Sequence, residues 1–151
     1  MAMMSISTFE RFFNVEADLD VDKSDLKRFD DFLRTKINDL LVRAEAVAKA
    51  NGRDIIQPQD LPVTRGLQDC LHAFDRLEEE EDLELQPFLE ELTAERPFDL
   101  EVSEATEKEL PRVAGGLSVA LARTFKILYP KLKNPETEQW ERSFRVFNLF
   151  I

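Results

Sequence analysis

Cysteine, histidine, tryptophan and tyrosine each occur once in 151 residues, and glycine only four times. A lone Cys70 excludes an internal disulfide and a cysteine-rich metal site. It falls in a helical stretch and reads as a small apolar filler. His72, the one histidine, would need a nucleophile or carboxylate beside it in a cleft to do chemistry, and the plainer reading is a partly exposed helix residue. Glycine-rich phosphate loops and nucleophile elbows are missing. No enzymatic activity, cofactor or small-molecule substrate is therefore expected. Long apolar runs are missing as well: the charge-free stretch Val113 to Ala122 is about half the length a membrane-spanning helix needs. The first residues lack the basic start, apolar run and cleavage site of a secretory signal, so the expectation is a soluble, cytoplasmic chain with no membrane partner.

What is present is charge, unevenly placed. The net charge is −11, which disfavours non-specific DNA binding. Residues 78 to 109 carry 14 acidic and two basic side chains, so one block makes the molecule acidic. From Arg112 onward seven basic residues face three acidic ones, which leaves the C-terminal segment mildly positive. The run Glu78 to Glu84 reads as a solvated helix end or a linker.

Apolar spacing organises the chain into helices, and an all-α fold is expected. Ser5, Ser7 or Thr8 can cap a short helix bearing Phe9, Phe12 and Phe13, which should end near Asn14. Val15 to Asp22 reads as a loop, with Asp22 as the next N-cap. Leu26, Phe29, Leu33, Ile37, Leu40, Ala44 and Val47 advance by threes and fours through one long helix, Ser24 to Asn51, closed by Gly52. Arg53 to Gln59 should be extended. A third helix opening at Pro58 to Pro62 is predicted to run to about Arg76.

The pattern then repeats. Leu85, Phe88, Leu89 and Leu92 mark a short helix, Arg96 to Val102 a loop, and Ser103 the start of a second long helix through Leu110, Val113, Leu117, Leu121, Phe125 and Leu128. Pro111 should bend it or delay its regular part, and Gly115 with Gly116 should mark the close approach of another helix. Tyr129 and Pro130 end it. After a loop from Lys131 to Pro135, a last helix carries Trp140, Phe144, Phe147 and Ile151 on one face. That stripe completes a core, with its outer edge at Phe150 a candidate interface. The spacing Asp18, Asp20, Asp22 matches the start of a calcium loop, but Lys23 stands where the turn glycine belongs and Phe29 where the bidentate glutamate belongs.

Short, long, short, stated twice, matches the histone fold. The segment from Ala48 to Leu61 closely resembles the second loop of archaeal histones, above all in Gly52-Arg53 followed by Asp60. The resemblance implies an ion pair between Arg53 and Asp60 that clamps the loop; independently, a guanidinium and a carboxylate flanking a tight loop can bond bidentately. Glu101 to Ala105 resembles the first-loop region of the same family. The chain as a whole looks like a bacterial family of single-chain double histone folds of unassigned role. This implies two tandem histone folds clasped as an intramolecular pseudodimer: residues 1–76, an acidic linker or helix end at 77–84, and residues 85–151, both halves in one compact domain.

In DNA-binding histones the loops and first helix hold phosphates. By position this chain keeps Arg11, but the basic first-loop position is Asp20, and the Lys-Thr pair after the loop arginine is Asp54-Ile55. Loop pairing would set Asp18, Asp20 and Asp22 against Lys131 and Lys133, and Arg53 and Asp54 against Asp99 and Glu101. Ala50 replaces the histidine that pairs histone dimers. The expected function is a non-enzymatic scaffold for a protein partner or for self-association. The alternative is weak or specialised DNA binding, with Arg11, Lys126, Lys131, Lys133, Arg142 and Arg145 as candidate contacts.

Overall fold

The computed structural model describes residues 6–96 and 99–151, so the candidate cap at Ser5 and the middle of the Arg96 to Val102 loop lie outside the described residues. The protein is all-α: α1 (Ile6–Ala17), α2 (Lys23–Ala50), α3 (Arg65–Glu81), α4 (Gln86–Ala94), α5 (Glu104–Leu128) and α6 (Thr137–Asn148), with a 3-10 turn at Pro58–Asp60. Among the described residues the only extended pairing is an isolated parallel bridge between Ile56 and Val102.

The caps explain most boundaries. Asp22 accepts from the backbone of Ser24 and Asp25, while Asp25 returns a bond to the Asp22 N–H, which closes a capping box on α2. Gly52 leaves α2 at φ +73°, a conformation open to glycine without a steric cost. Ser103 caps α5 through the Thr106 N–H.

Three expectations need correction. α1 continues to Ala17, past Asn14, and stops where Asp18 turns left-handed at φ 53°. α3 does not open at the prolines: Pro58 starts only the 3-10 turn, because the Asp60 carboxylate is held by the Gln57 N–H and by Arg53. The α-helix begins at Arg65, with the Thr64 hydroxyl accepting from Leu67. Its other end runs past Arg76 through the acidic run to Glu81, where left-handed Asp82 and Glu84 let Leu83 and Leu85 turn into the core. α5 continues through Pro111, whose ring is buried.

The outer helices of the first half, α1 and α3, pack on the long helix of the second half, while α4 packs chiefly on α5 of its own half. α3 lies along α5 more extensively than any other pair. A Cβ on Gly115 would overlap the Phe74 ring, and one on Gly116 would overlap Leu71 and stand 3.1 Å from its backbone nitrogen. Glycine there is a requirement of close approach rather than of turn geometry. Reciprocally, α6 covers α2: Phe144 stacks on Phe32 at 4.9 Å and Phe147 meets the same ring edge-on at 5.0 Å. α1 reaches α5 through Phe13 against Phe125, and Trp140 packs on both rings at 5.6 and 4.8 Å. The buried core is one cluster drawing on both halves.

Candidate interaction surfaces

Two loop junctions sit between the halves. At the first, the Asp20 N–H donates to the Lys133 carbonyl at 2.7 Å and Lys133 forms an ion pair with Asp18. The hydrogen bond from Lys133 holds the Asp18 carboxyl below the usual carboxylate range. Asp22 is also depressed, by the Ser24 hydroxyl, because its carboxylate is engaged as the cap of α2. The three aspartates thus serve separate tasks. No group of three or more potential ligand residues is arranged to hold a metal among the described residues.

At the second junction, the Ile56 N–H donates to the Glu101 carbonyl and the Ser103 N–H to the Ile56 carbonyl, each at 2.9 Å. The Thr106 hydroxyl donates to the same Ile56 carbonyl at 2.8 Å. Beside this bridge Arg53 donates to both oxygens of the buried Asp60, at 2.6 and 2.7 Å. The guanidinium and the Gln57 N–H hold that carboxyl down at about 2. The cation is spent inward, and Asp54, Asp99 and Glu101 are what the junction exposes.

Asp60 carries a pH signature. Its carboxyl is depressed in the fold from 3.8, so its contribution to stability is complete above that value and is lost as pH falls through about 2. Asp60→Asn is expected to lower Tm at neutral pH and to flatten the dependence of Tm on pH across that acid window. Thermal melts over a pH series check this; an unchanged acid limb would show that the pair does not hold the loop.

The candidate phosphate contacts do not converge into one track. Arg11 bonds the Glu81 carbonyl at 2.6 Å and pairs with its carboxylate at 3.7 Å. Lys133 is paired with Asp18, and Arg142 with Glu138 at 3.4 Å. Lys126, Lys131 and Arg145 are exposed, without a hydrogen bond or ion pair among the described residues. His72 is exposed on α3 and bonds Gln68 at 3.2 Å. The acidic block forms the far end of α3, α4 and the start of α5, and neighbouring arginines lace part of it: Arg34 to Glu95, Arg96 to Glu107, Arg112 to Glu109.

Two features escaped sequence reasoning. Lys36 lies on the apolar side of α2, 3% exposed, with its ammonium donating to Asn148 and to the Ile151 carbonyl at 3.2 Å. In a periodic pattern it looks like a solvent-facing cation, and its burial is made tolerable by Asp39 on α2 at 3.4 Å together with the acceptors that the return of α6 supplies. The second is a groove of about 470 Å³ between α3, α5 and α6, lined by Leu67, Cys70, Ala120, Ile127, Phe147 and Phe150 among others. Ile127 and Phe150, 78% and 77% exposed, were its only legible sign.

These features define an all-helical protein in which two short-long-short units share one core across two loop junctions. The chain belongs to DUF1931, a domain of unknown function, whose family model matches residues 9–148. An uncharacterised protein of Aquifex aeolicus strain VF5 is 26% identical over 117 residues, covering 78% of this chain and 67% of the relative. A crystal structure from Thermus thermophilus is similar with a TM-score of 0.85 and 53% identity, over 99% of this chain and all of the other. One from Aquifex aeolicus shares the fold at a TM-score of 0.83 and 23% identity, over the whole of both chains. No described helix is long and apolar enough to cross a membrane.

Proposed function

We propose that this chain is a double histone fold, an intramolecular pseudodimer, acting as a non-enzymatic cytoplasmic scaffold for protein association and not as an archaeal-type DNA wrapper. The histone reading is supported by the repeated short-long-short order, by each first loop lying beside the other half's second loop, and by the Arg53–Asp60 clamp. The observation that carries the function is the closure of both junctions from within. Where a DNA-binding histone offers cations to phosphate, Lys133 is held by Asp18 and Arg53 by Asp60. Anions take the remaining positions, and each substitution of cation by anion removes an attraction and adds a repulsion.

The second reading, weak DNA binding, rests on the exposed Lys126, Lys131 and Arg145. Three phosphate contacts would give a salt slope of only about −3 in log K against log salt. A gel-shift series with duplex DNA is therefore expected to show no retardation at physiological salt and at most a faint one at low salt. Retardation that survives physiological salt and disappears on Lys131→Glu with Lys133→Glu would establish the DNA reading instead. Affinity capture with the full chain completes the test: the scaffold reading expects protein partners that survive nuclease treatment.

A further inference from the structure

We infer that the turn joining the halves, residues 82–85, is a hinge through which two copies of this chain exchange halves, the first half of each pairing with the second half of the other. The inference rests on the scaffold reading, to whose self-association it gives a definite form. α3 ends at Glu81 and α4 begins at Gln86, so four residues are the whole covalent link between the halves. Two of the four are strained: Asp82 at φ 47° and Glu84 at φ 59° lie in the left-handed region, which side chains other than glycine occupy at a steric cost. Asp82 is a tolerated residue at a helix terminus. Glu84 lacks the short side chain that eases the conformation through a local hydrogen bond.

Little holds the turn closed. Leu85, the N-cap of α4, brings no side-chain cap, and its N–H donates to the Glu78 carboxylate at 3.3 Å. That carboxylate is poorly placed to serve: burial pushes the Glu78 carboxyl up, and the charges of Asp82 and Glu84 add to the effect. Leu83 and Leu85, 3% and 2% exposed, are the turn's apolar anchors.

Exchange keeps every other contact. Phe32 with Phe144 and Phe147, Leu71 and Phe74 on the α5 glycines, and Ile56 with Glu101 and Ser103 all join one half to the other, and none depends on which chain supplies the second half. A second copy is the occupant because it carries the one surface already complementary to each half. The released link also has a conformation ready. Leu85 and Phe88 follow Leu71 and Phe74 by fourteen residues, two heptads, so a single helix running from α3 into α4 keeps all four on one side. That helix removes the left-handed strain, against the loss of the Leu83 anchor and the i,i+4 repulsion of Glu78 with Asp82 and of Glu80 with Glu84. A short strained link between interlocked halves is the setting in which such exchange occurs.

The test refolds the full chain from denaturant at rising protein concentration, incubates it to a constant mass distribution and follows mass by sedimentation. A dimer is expected whose fraction rises with concentration. Asp82→Gly with Glu84→Gly relieves the closed turn and disfavours the straight helix, and should weaken the dimer about tenfold or more. Asp82→Ala with Glu84→Ala keeps the strain and removes the repulsion, and should strengthen it by about as much. Disulfides then separate exchange from docking of intact copies. Ile56 and Val102 face each other across the parallel bridge, about 5 Å apart and within disulfide reach. In a Cys70→Ser background, Ile56→Cys with Val102→Cys should oxidise within one chain in the monomer fraction and to a covalent two-chain product in the dimer fraction. Asp20→Cys with Lys133→Cys, at the other junction, repeats the measurement should loss of the buried Ile56 unfold the chain. The inference is overturned if the chain stays monomeric at every concentration, if the glycine and alanine variants dimerise as wild type does, or if the dimer fraction gives only intrachain disulfide. Affinity capture separates the two levels: a monomeric chain that still recovers protein partners would end the exchange and leave the scaffold standing, whereas one that recovers none would end both.

Discussion

Residues 1–84 produced alone are expected to show no cooperative thermal transition as a monomer. The surfaces that would be exposed belong to the core. Phe13 loses Phe125 and Trp140, Phe32 loses Phe144 and Phe147, and Leu71 with Phe74 lose the glycine seat on α5. The backbone of Ile56 loses the partners it has in Glu101 and Ser103. Burying even a few large side chains contributes about 1.5–3 kcal/mol each, while a whole domain is stable by only about 5–15 kcal/mol. Removing the second half therefore removes more than the first can spare. Circular dichroism melts and sedimentation give the answer, and mixing the fragment with residues 85–151 should restore helix content in a one-to-one complex. A fragment that stays monomeric and melts sharply would refute the interlocked reading.

Trp140→Ala is expected to destabilise the full chain by about 3–5 kcal/mol, the range for deleting a large buried aromatic. The indole is fully buried and touches Phe13 from the first half as well as Phe125 and Phe144 from the second, so the cavity would open on the joint between them. Chemical denaturation measures the loss directly. Phe150→Ala, at a side chain 77% exposed, should change stability by no more than about 0.5 kcal/mol. A comparable loss for both would mean that Trp140 does not join the halves.

Much of this was legible before any coordinates. Phe9, Phe12 and Phe13 do line the buried side of α1, Asp22 and Ser103 do cap the long helices, and Gly115 with Gly116 do lie under another helix. These features are local: spacing at 3.6 residues per turn, a side chain that can accept from the first free N–H groups, and a missing Cβ. What misled was also local. Pro58 and Pro62 suit a helix start, but Asp60 between them is claimed by Arg53, and the start moves to Thr64. The helix end expected near Arg76 falls too early, although the acidic run Glu78 to Glu84 is where α3 stops: it continues to Glu81 with its apolar side on α5. Packing outweighs a few tenths of a kcal/mol per repelling pair.

The amino-acid order by itself determined six amphipathic helices, the caps of the two long ones, the all-α class and the electrical division between the acidic block and the basic end, because each depends on neighbours within a turn or two. The Arg53–Asp60 pair was already implied by the likeness of its loop to archaeal histones, but only the tertiary structure decided which residue engages Lys133. That lysine differs from exposed Lys131 and Arg145 through Asp18, brought from the far half. The same folding buries Lys36 under α6 and leaves Ile127 and Phe150 on the walls of a groove. Partnership at long range is a property of how helices pack, and it is there that the binding character of this protein is set.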